Sequence, residues 1–101
     1  MPITPEMADQ LSALKPRDMV LIDWVDAHAH DITGWTPSSL IRETTIKCVV
    51  RTVGWFVTTR DDFVVVAGDY IVDGVDDDDT INSVSCVPNV CITRLEVIQH
   101  G

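Results

Sequence analysis

The sequence predicts a mainly β domain, in which five strands curl into a small barrel behind a short N-terminal helix. The strongest indication is Thr45–Val72, where two runs of β-branched and aromatic residues are joined by the polar turn Arg60-Asp61-Asp62. Gly54 lies inside the first run, and a glycine there usually marks a bend or a bulge. A long bent strand that returns as a hairpin is how a small sheet curls into a barrel.

The first element is a helix, predicted over residues 4–15. Thr4 is suited to cap the helix, Pro5 fits its first position, and Glu6 is favourable near the positive end of the helix dipole. Apolar residues recur at helical spacing, namely Met7, Leu11 and Leu14. Pro16 ends the helix, because the residue before a proline avoids helical geometry.

Three further strands are predicted outside the central hairpin. Met19–Asp26 carries apolar residues on both faces, so we expect partial cover from each side, with the helix supplying one cover. Ile81–Val87 has weaker strand character. The turn Pro88-Asn89 then leads to the last strand, Cys91–Ile98, which is the expected open edge of the sheet.

Two long loops connect these elements. His28–Arg42 contains glycine, proline and serine residues that break any periodicity, and long ordered loops are often binding sites. Residues 73–80 are predicted as a solvated acidic loop, because their four consecutive aspartates repel one another. A chain of 101 residues is long enough for one core and too short for two. We therefore expect residues 1–101 to form a single domain, with the barrel over residues 19–98.

The charge of the chain narrows the class of partner. The formal net charge is −9, from 16 acidic and 7 basic residues. Such a balance repels phosphate backbones, so it argues against direct nucleic-acid binding and favours docking on a basic protein surface. No apolar run approaches the roughly 20 residues that span a bilayer. We expect no contact with a membrane.

The cysteine count and the N-terminal segment indicate a compartment. Residues 1–18 lack a basic region followed by an apolar stretch, so they do not resemble a signal peptide. An odd set of three cysteines, Cys48, Cys86 and Cys91, predicts reduced thiols in a cytoplasm. A Cys86–Cys91 bridge is the less favoured alternative.

The segment from Asp26 to Asp31 is the sharpest local motif. In an extended chain Asp26, His28 and His30 project to the same side, and two imidazoles with a carboxylate suit zinc or a similar ion. A metal site needs three or four converging ligands, and two solvated histidines at the start of a polar loop are the simpler interpretation. We therefore predict no cofactor, and keep His28 and His30 as the candidate metal ligands.

One of the three tryptophans is a further candidate for binding. Trp24 and Trp55 lie in predicted strands and are expected in the core. Trp35 lies in a Gly-Trp-Thr-Pro loop, where it either plugs an open end of the barrel or recognises a ligand. The candidate binding residues are Trp35, Asp26, His28 and His30.

The order of elements resembles that of SH3-like and Sm-like small barrels. Val87–Ile92 resembles the short turn before the final strand of SH3 domains, and the strand bent at Gly54 resembles the long second strand of Sm proteins. Neither the RNA-binding loops of Sm proteins nor the ligand-binding aromatic set of SH3 domains is present in recognisable form. The resemblance therefore implies a fold and not a ligand.

A second resemblance concerns short motifs along the chain. They resemble small phage-encoded proteins of uncharacterised function, and they are Ile22–Ala27, Gly34-Trp35, Thr52–Val57, Asp61–Ala67 and Val87–Leu95. This resemblance implies a virus-encoded accessory protein in a bacterial cytoplasm, and it brings no catalytic residues with it.

Catalysis is the less favoured class of function. The serines lack the context of a nucleophile elbow, no glycine-rich phosphate loop is present, and no pair of glutamates suits acid–base work. We therefore predict a non-enzymatic adaptor or inhibitor that binds a host or viral protein, one version being an acidic mimic of nucleic acid. The alternatives are a ring-forming homo-oligomer that pairs through its sheet edges, and a metal-binding or small-ligand-binding domain centred on His28 and His30.

Overall fold

The computed structural model describes residues 3–26, 35–43, 48–71 and 80–101. The protein is mainly β in these segments, with five antiparallel strands in one sheet, as the sequence predicts. The strands are β1 (Met19–Asp26), β2 (Cys48–Arg60), β3 (Phe63–Tyr70), β4 (Ile81–Pro88) and β5 (Ile92–Gln99). The helices are α1 (Pro5–Ser12) and α2 (Ser38–Glu43), and a 3-10 turn spans Asn89–Cys91.

The strand order decides which strands have a free side. The order is β4-β3-β2-β1-β5, so the last strand of the chain returns beside the first. β1 pairs with β2 along its whole length, from Met19 opposite Trp55 to Asp26 opposite Cys48. β4 and β5 are therefore the two edges. Within the described segments the sheet is open, so the closed barrel expected from the sequence is not observed.

Helix α1 begins as the sequence predicts and ends earlier. The hydroxyl of Thr4 accepts a hydrogen bond from the N–H of Met7 at 3.2 Å, which caps the first turn. The helix ends at Ser12, with Ala13 as its C-cap, instead of reaching residue 15. Pro16 cannot donate a main-chain hydrogen bond and restricts the residue before it, so the chain leaves helical geometry well ahead of it.

The central hairpin has the turn that the sequence predicts, whereas its register shift lies between Phe56 and Thr58 and not at Gly54. Asp61 and Asp62 both have left-handed backbones, with φ of 51° and 64°, which is the geometry of a tight two-residue hairpin turn. Gly54 is buried where β2 crosses β3. A Cβ atom added to Gly54 would lie 2.6 Å from the carbonyl oxygen of Ala67. The close approach of the two main chains therefore requires glycine.

The core lies between α1 and one face of the sheet, here called the inner face. It consists of Leu11, Val20, Ile22, Phe56, Val64, Val66, Val87 and Leu95. Trp24 packs against this cluster, and its indole N–H donates to the hydroxyl of Thr52 at 3.0 Å. Trp24 is therefore a core residue as expected. Trp55 is also half-buried but does not pack against the cluster, so it is not a core residue.

The predicted loop His28–Arg42 contains a helix that sequence reasoning missed. Ser38–Glu43 forms α2, in which the Arg42 guanidinium donates to the hydroxyl of Ser38 at 3.3 Å. Pro37 suggests a loop from sequence, yet a proline beside the first helical turn costs no hydrogen bond. The remainder of that loop up to Gly34 and the predicted acidic loop from Asp73 to Asp79 lie outside the described residues.

The described helices are all short. None of them has the length and the apolar character needed to cross a bilayer.

Candidate functional site

The candidate functional site is the edge strand β4 together with the surface around it. β4 pairs with β3 from Tyr70 opposite Ile81 to Phe63 opposite Pro88, and its other side meets no strand of the described segments. Its residues 82–86 are all exposed to solvent. A free strand edge presents a row of main-chain donors and acceptors, which is a template for another strand.

β4 also lacks any charged side chain. The eight residues Ile81–Pro88 contain no Asp, Glu, Lys or Arg, in a chain of net charge −9. The residues opposite its centre, Val64–Ala67 of β3, are uncharged as well. Charged residues lie near both ends of the strand. At one end Asp69 lies opposite Asn82, and just beyond the other end the N–H of Asn89 donates to the main-chain carbonyl of Asp62 at 2.9 Å. Natural edge strands are commonly protected by charge, so a charge-free edge is a candidate contact surface.

One irregularity limits the length of this edge. Ser83 has a left-handed backbone with φ of 57°, which is rare for a serine within a strand. Gly68 lies against it, and a Cβ atom added to Gly68 would approach the Cβ of Ser83 to 3.1 Å. The regular part of the edge is therefore Val84–Val87, because Pro88 has no N–H to donate. The side chains of Val84 and Cys86 lie on the outer face, and that of Ser85 lies on the inner face.

A small recess lies at the beginning of β4. Ile81, the first residue of the strand, lines a cavity of about 70 Å³ together with Arg17, Trp55 and Tyr70. The rings of Trp55 and Tyr70 meet edge to face with centroids 5.0 Å apart. The guanidinium carbon of Arg17 lies 5.7 Å from the centroid of Tyr70, which is cation–π geometry. The aromatic walls suit an apolar side chain.

A wider groove lies near the other end of the strand. It has a volume of about 300 Å³ and is lined by Arg60, Asp61, Phe63, Val65 and Cys86. Val65 lies directly opposite Cys86, so the groove opens on the outer face beside the regular part of the edge. The β4 edge is thus flanked at each end by a partly apolar depression. Such pockets give sequence selectivity when a strand is added to an edge.

The opposite edge, β5, is built differently. On its outer face, Asp23 of β1 lies directly between Arg51 of β2 and Arg94 of β5. The Arg51 guanidinium donates to both carboxylate oxygens of Asp23, at 2.7 and 3.0 Å, and Arg94 is paired with Glu96. The hydrogen bond from Arg51 lowers the pKa of Asp23, and the same contact raises the pKa of Arg51. Charges therefore occupy the surface of this edge.

A buried carboxylate attaches the end of β5 to the start of β1. Asp18 is only 2% exposed, and it accepts hydrogen bonds from the main-chain N–H groups of Gly101 and Lys15, both at 3.0 Å. These two bonds lower the pKa of Asp18, that from Gly101 having the larger effect. The residues after β5 are thereby held against the residues before β1.

The structure describes two of the four residues that the sequence singles out for binding, Trp35 and Asp26. Trp35 is fully exposed, with a relative accessibility of 107%, so it does not plug an end of the sheet. Asp26 is the half-buried last residue of β1, opposite Cys48. His28 and His30 lie outside the described residues.

The prediction of His28 and His30 as metal ligands stays untested, because both lie outside the described segments. The described segments contain no group of three or more His, Cys, Asp or Glu side chains that would hold an ion. Cys48, Cys86 and Cys91 are free thiols, so the alternative of a Cys86–Cys91 bridge is not adopted. Cys86 is exposed on β4, whereas the other two are half-buried.

Sequence reasoning identified one edge and missed the other. It named the last strand as the open edge, and β5 is an edge. The sequence signal for β4 is the absence of charge over Ile81–Pro88, which is readable without a structure. That signal has meaning only once the strand order shows that β4 is an edge as well.

No protein-family model matches the chain, and neither a curated protein nor a solved structure matches it. The resemblances to SH3-like and Sm-like barrels and to phage-encoded proteins therefore stay predictions from the sequence. Function is inferred below from the sheet edges and their surroundings.

Proposed function

We propose that the protein is a non-enzymatic binding protein, an adaptor or inhibitor, and that the edge strand β4 receives an extended segment of its partner protein. The observation that carries this proposal is the combination, in Ile81–Pro88, of an edge without a partner strand in the described sheet and a complete lack of charge. A host or viral partner, and a bacterial cytoplasm, stay predictions from the sequence.

Strand addition explains how so small a surface would bind. Main-chain hydrogen bonds along Val84–Val87 supply affinity that does not depend on the partner's side chains. Selectivity comes from the two flanking depressions, the aromatic recess beside Ile81 and the groove beside Cys86. We expect a partner segment with apolar side chains at both ends and no acidic residue in between, because the chain as a whole is acidic.

The experiment compares three forms of the protein as bait in a bacterial extract. One is the natural sequence, one carries Val84→Lys and Cys86→Lys on β4, and the control carries Ile98→Lys and Gln99→Lys on the exposed end of β5. All four positions are exposed, so both variants add two lysines without disturbing the core. We expect a protein that binds the natural form and the control and is lost with the β4 variant.

Amide hydrogen exchange of the reconstituted complex then locates the contact. Slowed exchange at Val84–Val87 supports strand addition. Equal capture by the β4 variant, or protection confined to other strands, would refute the proposal. Binding that falls steeply with added salt would favour the acidic mimic of nucleic acid, since screening weakens contacts between exposed charges.

A second candidate function is supported by the presence of two open edges. β4 and β5 lie at opposite ends of the same sheet, so β4 of one copy pairing with β5 of the next would build a ring or a filament. This structural component requires both edges. The β5 control variant would break such an assembly, whereas it leaves binding at β4 intact.

A further inference from the structure

We propose that in the absence of a partner β4 pairs with β4 of a second copy, antiparallel about a two-fold axis, so that the free protein is a dimer that covers its own binding edge. The dimer itself follows from the geometry below. Its regulatory meaning, that a partner must displace the second copy, rests on the proposed function.

The first argument is electrostatic. Two copies of a chain with net charge −9 repel each other across most of their surface. Ile81–Pro88 has no charge, and its neighbours Val64–Ala67 on β3 have none either, so the approach of two such edges brings no like charges together at its centre. Of the two described sheet edges, the uncharged β4 is therefore the one where a second copy meets less repulsion.

The second argument is the symmetry of antiparallel pairing. A strand edge paired with itself about a two-fold axis places each main-chain donor opposite an acceptor of the same strand in the other copy. No second complementary surface is needed. On the outer face, Val84 and Cys86 then lie beside the same residues of the second copy, where small apolar side chains pack across the pair.

The third argument is the contrast with β5 as an alternative partner. β5 has two irregularities in its pairing with β1, one between Met19 and Val20 and one between Asp23 and Trp24. Between them β5 carries the paired charges of Arg94 and Glu96. Bulges and charges are the means by which natural edges resist pairing, so β4 is the better match for β4.

The geometry also indicates that the dimer is weak. The left-handed Ser83 interrupts the edge at one end, and Pro88 lacks an N–H at the other, which leaves Val84–Val87 for regular pairing. A contact of that length is well below the roughly 1,000 Å² that stable interfaces bury. The dimer is therefore in rapid exchange with monomer, which suits an edge that a partner must reach.

Analytical ultracentrifugation from micromolar to millimolar protein tests the dimer. The natural form and the Ile98→Lys/Gln99→Lys control are expected to shift from monomer to dimer as the concentration rises. The Val84→Lys/Cys86→Lys variant is expected to stay monomeric, because like charges face each other across the two-fold axis. A Val84→Glu/Cys86→Glu variant is also monomeric alone, and an equal mixture of the two variants restores a dimer.

Restoring the dimer by mixing the lysine and glutamate variants separates an effect on the contact from an effect on folding, since a misfolded variant would not regain a dimer on mixing. A natural form that stays monomeric at millimolar concentration overturns the proposal. So does an oligomer that the β5 control abolishes, because that result assigns the contact to β4 and β5 together. Slower amide exchange at Val84–Val87 in concentrated than in dilute protein is the further expected result.

The outcomes separate this inference from the function proposed above. Capture that depends on β4, from a protein that is monomeric throughout, would leave the function standing and remove the dimer. A dimer that depends on β4, with no capture that depends on β4, would leave the dimer and remove the adaptor.

Discussion

The two edges of the sheet differ in how they are held and in what they offer to solvent. β5 contributes three residues that form or pack against the core, Leu95, Ile92 and Val97, whereas β4 contributes one, Val87. β5 carries the ion pair of Arg94 with Glu96 on its outer face, beside that of Arg51 with Asp23 on the neighbouring strands, while β4 has no charged residue and meets no further strand of the described segments. The comparison teaches that the edge that anchors the fold and the edge proposed for contact differ in their core residues and in their charges.

The largest expected effect on stability comes from the core residues that anchor each edge strand. Leu95→Ala should lower the free energy of unfolding by about 3 kcal/mol, because it leaves a cavity between β5 and α1. Val87→Ala on β4 removes a smaller buried group and should cost about 1–2 kcal/mol. Urea unfolding followed by tryptophan fluorescence measures both. Equal losses would mean that the two edges are anchored alike.

Gly54 lies in the central strand β2, between the two edges, where the main chain of β3 comes too close for a Cβ atom. Gly54→Ala should lower the free energy of unfolding by about 2 kcal/mol, since the added Cβ would lie 2.6 Å from the carbonyl oxygen of Ala67. Gly68→Ala is the control, because its nearest contact, the Cβ of Ser83, is at 3.1 Å and should yield more easily. The same urea measurement applies. A larger loss at Gly68 would contradict the role of this close approach.

Acid should lower the stability of the part of the sheet around β5, and it should not lower that of the part around β4. Asp18 and Asp23 have pKa values lowered in the folded protein, so the unfolded chain binds more protons and stability falls as pH decreases. Their contribution is complete above about pH 4 and is lost as pH falls through the lower folded pKa values. Asp23→Asn and Asp18→Asn should each flatten this dependence.

Amide exchange compared between neutral and acid pH locates the effect. We expect opening to increase first in β1 and β5, where both carboxylates lie, and later in β3 and β4. The intrinsic change of exchange rate with pH is removed by reference to unfolded peptides. Earlier opening of β4 would show that the acid dependence has another origin.

The smallest expected effect on stability is at the contact edge itself. Val84→Lys/Cys86→Lys should change the free energy of unfolding by no more than about 0.5 kcal/mol per position, since Val84 is 50% exposed and Cys86 is exposed as well. Thermal unfolding by circular dichroism measures this in dilute solution, where the protein is monomeric. A loss as large as that of Leu95→Ala would mean that β4 supports the fold instead of offering a contact.

The sequence by itself determined the local elements of this protein. Period-2 alternation identified the strands, Thr4 and Pro5 identified the start of α1, and Asp61-Asp62 identified the hairpin turn, because each depends on residues close together in the chain. The short helix α2 was missed, since Pro37 and Ser38 occur both in loops and at helix starts.

Only the tertiary structure decided which strands became edges. β5 lies beside β1 through contacts such as that between the Thr93 hydroxyl and the carbonyl of Asp23, 70 positions apart in the chain. No local pattern encodes that neighbour, and for the same reason Trp55 could not be told from a core residue by its strand pattern. An uncharged run such as Ile81–Pro88 occurs both in central strands and in edge strands, so the run alone does not identify an edge. β4 is the candidate site because it lies at the end of the described sheet, where β5 pairs with β1 at the opposite end.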